Sequence, residues 1–351
     1  MTAPRFIRQN TKKALAERGP SIHDGKLTRE LVMQYFLAGV IAATAVSFAA
    51  HAQAAESSIT IAVFTKNTTN PAYAAFRLAA DQIGQSAGAR IKHFVPSKPD
   101  NVDEQKAMVE EILKQRPDAV VFIPVDDVAM VDSVNKLNEA EIPIVLASNP
   151  LPGRFVTYVG ADDYDIGYRE ARYLFDKLGG KGRIVILEGT ASAPTNRERL
   201  RGYKRALSET PGIEVLASGP GNYQQADARR VMAGFLKDFA EIDAVLSAND
   251  SMALGALEAL KEANRTTIVI GINGILPAVK QIEAGNILAS VDFNMFKIGC
   301  TATLAAVRYL HREVLPTKVM LPAEVIDRSN YKAWLVPVEQ RTCPDWAALV
   351  Q

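Results

Sequence analysis

From residue 59 onward, short continuous apolar runs alternate with longer stretches in which apolar residues return every three or four positions. Residues 59–64, 90–95, 119–123 and 144–147 have the length and β-branched content of buried strands. Between them, 71–87, 102–115 and 128–140 carry the helical period. A second series opens after residues 156–160, with helices over 164–178, 196–209, 225–239 and 251–263. Its strands fall at 184–188, 213–217, 244–247 and 267–272, followed by an apolar run at 288–291, a long helix over 295–311 and a strand-like 324–327. Alternation of this kind predicts an α/β chain whose parallel sheets are covered by helices on both faces, with right-handed crossovers. Two series, each near the size of one domain, predict two Rossmann-like lobes.

The first thirty residues differ in kind. Arg5, Arg8, Lys12, Lys13, Arg18, Lys26 and Arg29 precede an apolar run over 31–50, and then Ala-His-Ala-Gln-Ala-Ala. A basic segment, an apolar segment and an Ala-x-Ala site describe a signal peptide over 1–54, cut after Ala54 or alternatively Ala52. An uncleaved anchor is the competing reading; the alanine content, Gly39 and the Ala-x-Ala ending favour cleavage. The mature chain is then periplasmic. Its only cysteines, Cys300 and Cys343, either pair in that oxidising setting or remain two thiols, since spacing does not supply the distance a disulfide needs. With 351 residues and a formal net charge of +1, the chain has no clustered basic excess for nucleic acid.

Catalytic and metal signatures are missing. Outside the leader only His93 and His311 occur, and neither sits in a nucleophilic pattern; there is no Gly-x-Ser-x-Gly, Cys-x-x-Cys, His-Glu-x-x-His or calcium loop. The acidic cluster Asp162, Asp163 and Asp165 reads as a capping turn. Gly179-Gly180-Lys181-Gly182 opens a strand and is no phosphate loop. No catalytic residue, metal or cofactor is expected.

Polar residues at strand ends are better placed for binding. The run from Ala244 to Leu257 passes from strand to helix with only Asn249 and Asp250 at the junction, the edge at which open α/β sheets hold ligands. Asp250 suits the helix cap and Asn249 the ligand. In Thr69-Asn70-Pro71-Ala72-Tyr73, Asn70 suits either a cap or a ligand, and Tyr73 an aromatic wall. Arg197 stands in the first turn of a predicted helix, where its fork can bind two oxygens, whereas Glu198 and Arg201 read as solvated.

Three of these stretches carry a resemblance. Ser-Ala-Asn-Asp-Ser-Met-Ala-Leu-Gly-Ala at 247–256, Asn70-Pro71-Ala72-Tyr73, and Arg197-Glu198-Arg199-Leu200-Arg201-Gly202-Tyr203 resemble the ribose-binding-protein-like (type I) periplasmic sugar receptors of ABC transporters. The resemblance implies three crossings between the lobes, near 161–162, 292–293 and 321–322. The N-terminal lobe would hold 57–161 plus 293–321, and the C-terminal lobe 162–292 plus 322–351. It implies ligand contacts from Asn70, Tyr73, Asn149, Arg197, Tyr223, Asn249, Asn273 and Phe293, capture by hinge closure, and delivery by a monomer to an ABC permease with a separate ATPase. The departures narrow the ligand. Ser148-Asn149 stands where the family commonly has Asp-Arg, Asn273 where it has Asp, and Phe293 where it has Gln. Ribose is therefore not expected. A linear polyol or unusual sugar suits the asparagines, and Lys66 with Arg197 keeps a sugar acid as second choice. A periplasmic sensory receptor, signalling to a chemoreceptor or histidine kinase, would use the same cleft.

Overall fold

Short strands buried on both faces organise the chain. Val120, Val121 and Phe122, and likewise Val245 and Leu246, have no exposed surface, as expected of parallel strands covered by helices. A computed structural model describes residues 59–350, and the signal-peptide reading of 1–54 lies outside the described residues. The first series runs β1 (Thr60–Phe64), α1 (Pro71–Ala87), β2 (Arg90–Phe94), α2 (Val102–Gln115), β3 (Ala119–Phe122), α3 (Val131–Glu139), β4 (Ile144–Ala147) and β5 (Thr157–Gly160). The second runs α4 (Asp163–Lys177), β6 (Gly182–Glu188), α5 (Pro194–Glu209), β7 (Ile213–Pro220), α6 (Gln225–Asp238), β8 (Ala244–Ser247), α7 (Asp250–Glu262), β9 (Ile268–Ile272), α8 (Leu276–Ala284) and β10 (Ala289–Asp292). Then come α9 (Met295–Leu310), β11 (Lys318–Met320), β12 (Glu324–Ile326) and a tail ending in the short α10 (Trp346–Leu349).

Two six-stranded sheets result, ordered β11-β5-β4-β3-β1-β2 and β12-β10-β9-β8-β6-β7. All pairings are parallel except β10 with β12. The chain passes between sheets three times, from β5 to α4, from β10 to α9, which packs on α1, and from β11 to β12. The α/β architecture with two parallel-sheet lobes is thus as the alternation predicts.

Some boundaries differ from the sequence reading, each for a local reason. Helix α3 begins at Val131 and not at 128, because the Asp126 carboxylate accepts from the Val128 and Ala129 amides and holds that stretch as a turn. Helix α5 begins at Pro194, two residues before the expected start, with proline at the first helical position. Helix α8 and strand β11 were not foreseen; both are short. Cys300 and Cys343 form a disulfide with Cα atoms 5.5 Å apart, which joins the tail to α9.

Candidate functional site

The carboxyl ends of the strands of both sheets converge on one cavity, the edge at which open α/β sheets hold ligands. From the first sheet come Asn67 and Asn70 after β1, Asp100 after β2, and Ser148 and Asn149 after β4. The second sheet supplies Thr195 and Arg199 after β6, Tyr223 after β7, Asn249 after β8, and Asn273 after β9. Phe293 and Met295, at the crossing after β10, complete the wall. Seven of the eight residues expected from sequence line this cavity: Asn70, Tyr73, Asn149, Tyr223, Asn249, Asn273 and Phe293.

Arg197 does not. Its guanidinium bonds the Ser192 carbonyl and the Asp127 carboxylate of the first lobe, and its side chain is 46% exposed. The reason is helical phase. With α5 starting at Pro194, Thr195 and Arg199 are four residues apart and share a face, and Arg197 lies on the opposite one. Arg199 is the buried arginine of the cavity. Its Nε donates to Asp163 Oδ1 at 2.9 Å, and Nη1 to the Ala248 carbonyl at 2.7 Å. Its guanidinium lies 5.3 Å from the Phe293 ring centroid and 5.9 Å from that of Tyr223, within cation–π range. Burial opposes the Arg199 charge, but the Asp163 carboxylate together with Tyr223 and Tyr203 outweighs it and holds its pKa above the ordinary value. Asp163 is therefore not merely part of a capping turn; Asp162 is the cap, accepting from the amides of Tyr164 and Asp165.

Close helix packing sets the Arg199–Asp163 pair. A Cβ on Gly167 of α4 would lie 2.4 Å from the Arg199 carbonyl oxygen, and one on Gly202 of α5 would lie 2.3 Å from that of Tyr164. The clashing atoms are backbone and cannot swing aside. Gly167→Ala is expected to lower stability by about 1–3 kcal/mol in urea unfolding; an unchanged midpoint would mean that the two helices can part without cost.

The second junction also corrects the reading. Asn249, not Asp250, caps α7, its Oδ1 accepting from the Met252 amide at 2.8 Å. The Asn249 amide group also donates to the Tyr223 carbonyl at 3.3 Å, so one side chain both caps the helix and lines the cavity. Asn70 has the same double use, accepting from the Ala72 amide at 2.9 Å. Asp250 is buried behind them. Its Oδ1 accepts from Ser290 Oγ at 2.7 Å and its Oδ2 from the Ile275 amide at 3.0 Å, which ties down the loop carrying Asn273. Asn273 itself has φ 124°, and its buried Oδ1 has no partner within the protein, an arrangement suited to a donor supplied by a ligand.

Sequence reasoning missed Asp100, which reads as an ordinary turn residue. The structure gives it φ 55° and brings its Oδ1 to 3.0 Å from Asn67 Nδ2 and 3.9 Å from the buried Lys66 Nζ. Tyr223 lies against this corner, its hydroxyl 3.0 Å from Thr195 Oγ1, and burial pushes its pKa up to about 12, so it stays a neutral hydrogen-bonding group. Tyr73 is shifted the same way, also by burial. Across the rim, Thr69 Oγ1 donates to Gln224 Oε1 at 3.0 Å, a second lobe-to-lobe contact beside Arg197–Asp127.

Comparison with known proteins gives this geometry a setting. A xylitol-binding protein of Mycolicibacterium smegmatis is 32% identical over 197 residues, covering 55% of this chain and 56% of that protein. A ribose import binding protein of Haemophilus influenzae is 26% identical over 82% of this chain and 96% of its own length. Among solved structures, a periplasmic solute-binding protein from Actinobacillus succinogenes with bound D-allose superimposes with TM-score 0.74 at 26% identity, over 78% of this chain and 99% of that one. An ABC transporter solute-binding protein from Bacillus halodurans with bound myo-inositol gives TM-score 0.74 at 26% identity, over 80% of this chain and 98% of that one. The periplasmic binding protein domain family matches residues 61–313, and the chain belongs to that family.

Proposed function

We propose that this chain is an exported receptor that captures a neutral polyhydroxylated ligand, a linear polyol or an unusual sugar, between its lobes. The observation that carries this reading is the charge balance of the cavity. Its polar lining is dominated by carboxamides, Asn67, Asn70, Asn149, Asn249 and Asn273, which both donate and accept. Each charged group is matched by an opposite one, Arg199 by Asp163 and Asp100 by Lys66. An anionic ligand would meet the Asp100 carboxylate without finding an unpaired cation, which disfavours the sugar acid. Asp100 also supplies, from the first lobe, a carboxylate for ligand hydroxyls that the residues at 148–149 and 273 do not provide. The relatives named for xylitol and ribose, and the solved structures holding allose and myo-inositol, support the same ligand class.

The closed form would be handed, in the periplasm and as a monomer, to an ABC permease whose separate ATPase supplies the energy. A thermal-shift screen of the mature protein tests the ligand class with xylitol, other linear polyols, myo-inositol, aldoses, and aldonic and uronic acids. A ligand at about a hundred times its Kd adds roughly 2.7 kcal/mol, and the expected result is a rise of about 5 °C with a polyol or sugar. A rise with acids alone would overturn the neutral-ligand reading, and no rise with any compound would overturn the carbohydrate assignment.

A further inference from the structure

The segment after β12 touches both lobes. On the second, the turn Tyr331–Leu335 packs against α8, and Trp334 Nε1 donates to Asp292 Oδ2 at 2.7 Å. Asp292 ends β10, and its other oxygen accepts from the Asn294 amide at 2.7 Å, so this bond sits on the crossing that leads into α9. On the first lobe, the turn Val338–Gln340 packs against α1, and Gln82 Nε2 donates to the Arg341 carbonyl at 2.8 Å. Two residues on, Cys343 is bonded to Cys300 of α9. Beyond it, Leu349 joins Ala79, Phe296 and Cys300 in a small apolar cluster, and Arg308 lies 5.1 Å from the Trp346 ring centroid.

The chain itself crosses between the lobes three times. The tail adds a fourth connection, and it alone among the described residues is closed by a disulfide. We propose that residues 331–349 form a strap across the hinge, pinned to one lobe by Trp334 and to the other by Cys343, that limits how far the lobes separate. Four residue steps from Trp334 to Val338 reach at most about 14 Å when fully extended, and nine steps to Cys343 about 32 Å. Opening that lengthens the path across the hinge must stretch the strap or peel off one of its ends. The hydrogen bond from Gln82 and the small cluster can peel; the disulfide cannot. The bridge thus turns a docked tail into a tether, and its loss leaves only contacts that opening can break.

Fluorophores placed by non-cysteine chemistry at exposed Val128 and Lys204, one in each lobe, report the opening in the ligand-free mature protein. The readout does not depend on the identity of the ligand, so its failure and that of the functional reading are distinguishable. The paired change Cys300→Ser and Cys343→Ser, and separately Trp334→Phe with the bridge intact, are expected to lengthen the mean interlobe distance by more than about 2 Å. Combining all three is expected to add nothing further, because either end releases the same strap. An unchanged distance in variants that still unfold cooperatively would overturn the proposal and reduce the tail to a local staple of the first lobe. Should the serine pair fail to fold, Trp334→Phe decides alone, and an unchanged distance there overturns it equally.

Discussion

Arg199→Ala is expected to cost about 3–5 kcal/mol of folding stability, because it leaves the Asp163 carboxylate buried beside an empty place. The Asp163 side chain is only 11% exposed, and that of Arg199 4%, so water cannot take over the lost partner. The change also strips the Ala248 carbonyl of its donor and removes the cation from the Phe293 and Tyr223 rings. Replacing both members, Arg199→Met with Asp163→Leu, separates stability from recognition. An apolar pair of similar volume removes the unpaired charge, so stability is expected to return to within about 1–2 kcal/mol of the native chain. Recognition is not expected to return, because the cavity has lost the donors that face it. Arg197→Ala, a half-exposed pair on the rim, is expected to cost less than about 1 kcal/mol. Urea unfolding of the three variants and calorimetric titration with the ligand found in the screen check these outcomes. A loss below 1 kcal/mol for Arg199→Ala would mean that Asp163 finds water or another partner, and would remove the pair from the foundations of the site.

That contrast between Arg197 and Arg199 marks the limit of what the sequence discloses. The strands were legible because a parallel strand covered on both faces must be a short, unbroken apolar run, as at Ala119–Phe122 and Ala244–Ser247. Part of the site was legible for a related reason: polar residues directly after such strands can only stand at the carboxyl edge, which singles out Asn249, whereas Asn149 and Asn273 follow from the resemblance to the periplasmic sugar receptors. What failed was phase and long-range approach. Moving the start of α5 by two residues turns an arginine through about 200° and exchanges the cavity face for the rim. The spacing from Thr195 to Arg199 held the signal, had Pro194 been taken as the first helical residue. At Asn249-Asp250 two good capping residues stand side by side, and local chemistry does not choose between them. Asp100 gave no signal, since only the fold of the loop at φ 55° turns it inward. The tail has neither period, and the Cys300–Cys343 bridge depends on a distance that no spacing encodes.

Stability is expected to fall as pH rises from 5 to 8, and Asp250 is one of the causes. Burial pushes its pKa to about 7, with the bonds from Ser290 and Ile275 pulling back, whereas in the unfolded chain it titrates near ~3.9. Below pH 4 both states hold the proton and its contribution is complete. Between about 4 and 7 the folded state holds a proton that the unfolded state has released, so stability drops as pH rises; the loss levels off about one unit above the folded pKa, near pH 8. At up to about 1.4 kcal/mol per pH unit, flattening as the folded pKa is approached, the interval from 5 to 7 removes about 2 kcal/mol. Glu170, Asp163 and Asp292 are all buried and shifted upward, chiefly by desolvation, and act in the same direction. Asp126 and Asp327 are shifted downward, so they lose stability only as pH falls below about 5 and do not alter the slope in this interval. Asp250→Asn mimics the protonated acid: its oxygen can still accept from the Ile275 amide and its amide group can donate to Ser290 Oγ, so the loop behind Asn273 keeps its anchor. The variant is expected to match the native chain near pH 5, exceed it at pH 8 and have a shallower slope, with the part due to the other buried carboxyls remaining. Urea midpoints of both proteins across pH 4.5–8.5 test this. A native midpoint that is flat or rises with pH, or an Asp250→Asn variant that retains the native slope, would show that Asp250 is ionised in the folded protein throughout, held by the donors of Ser290 and Ile275.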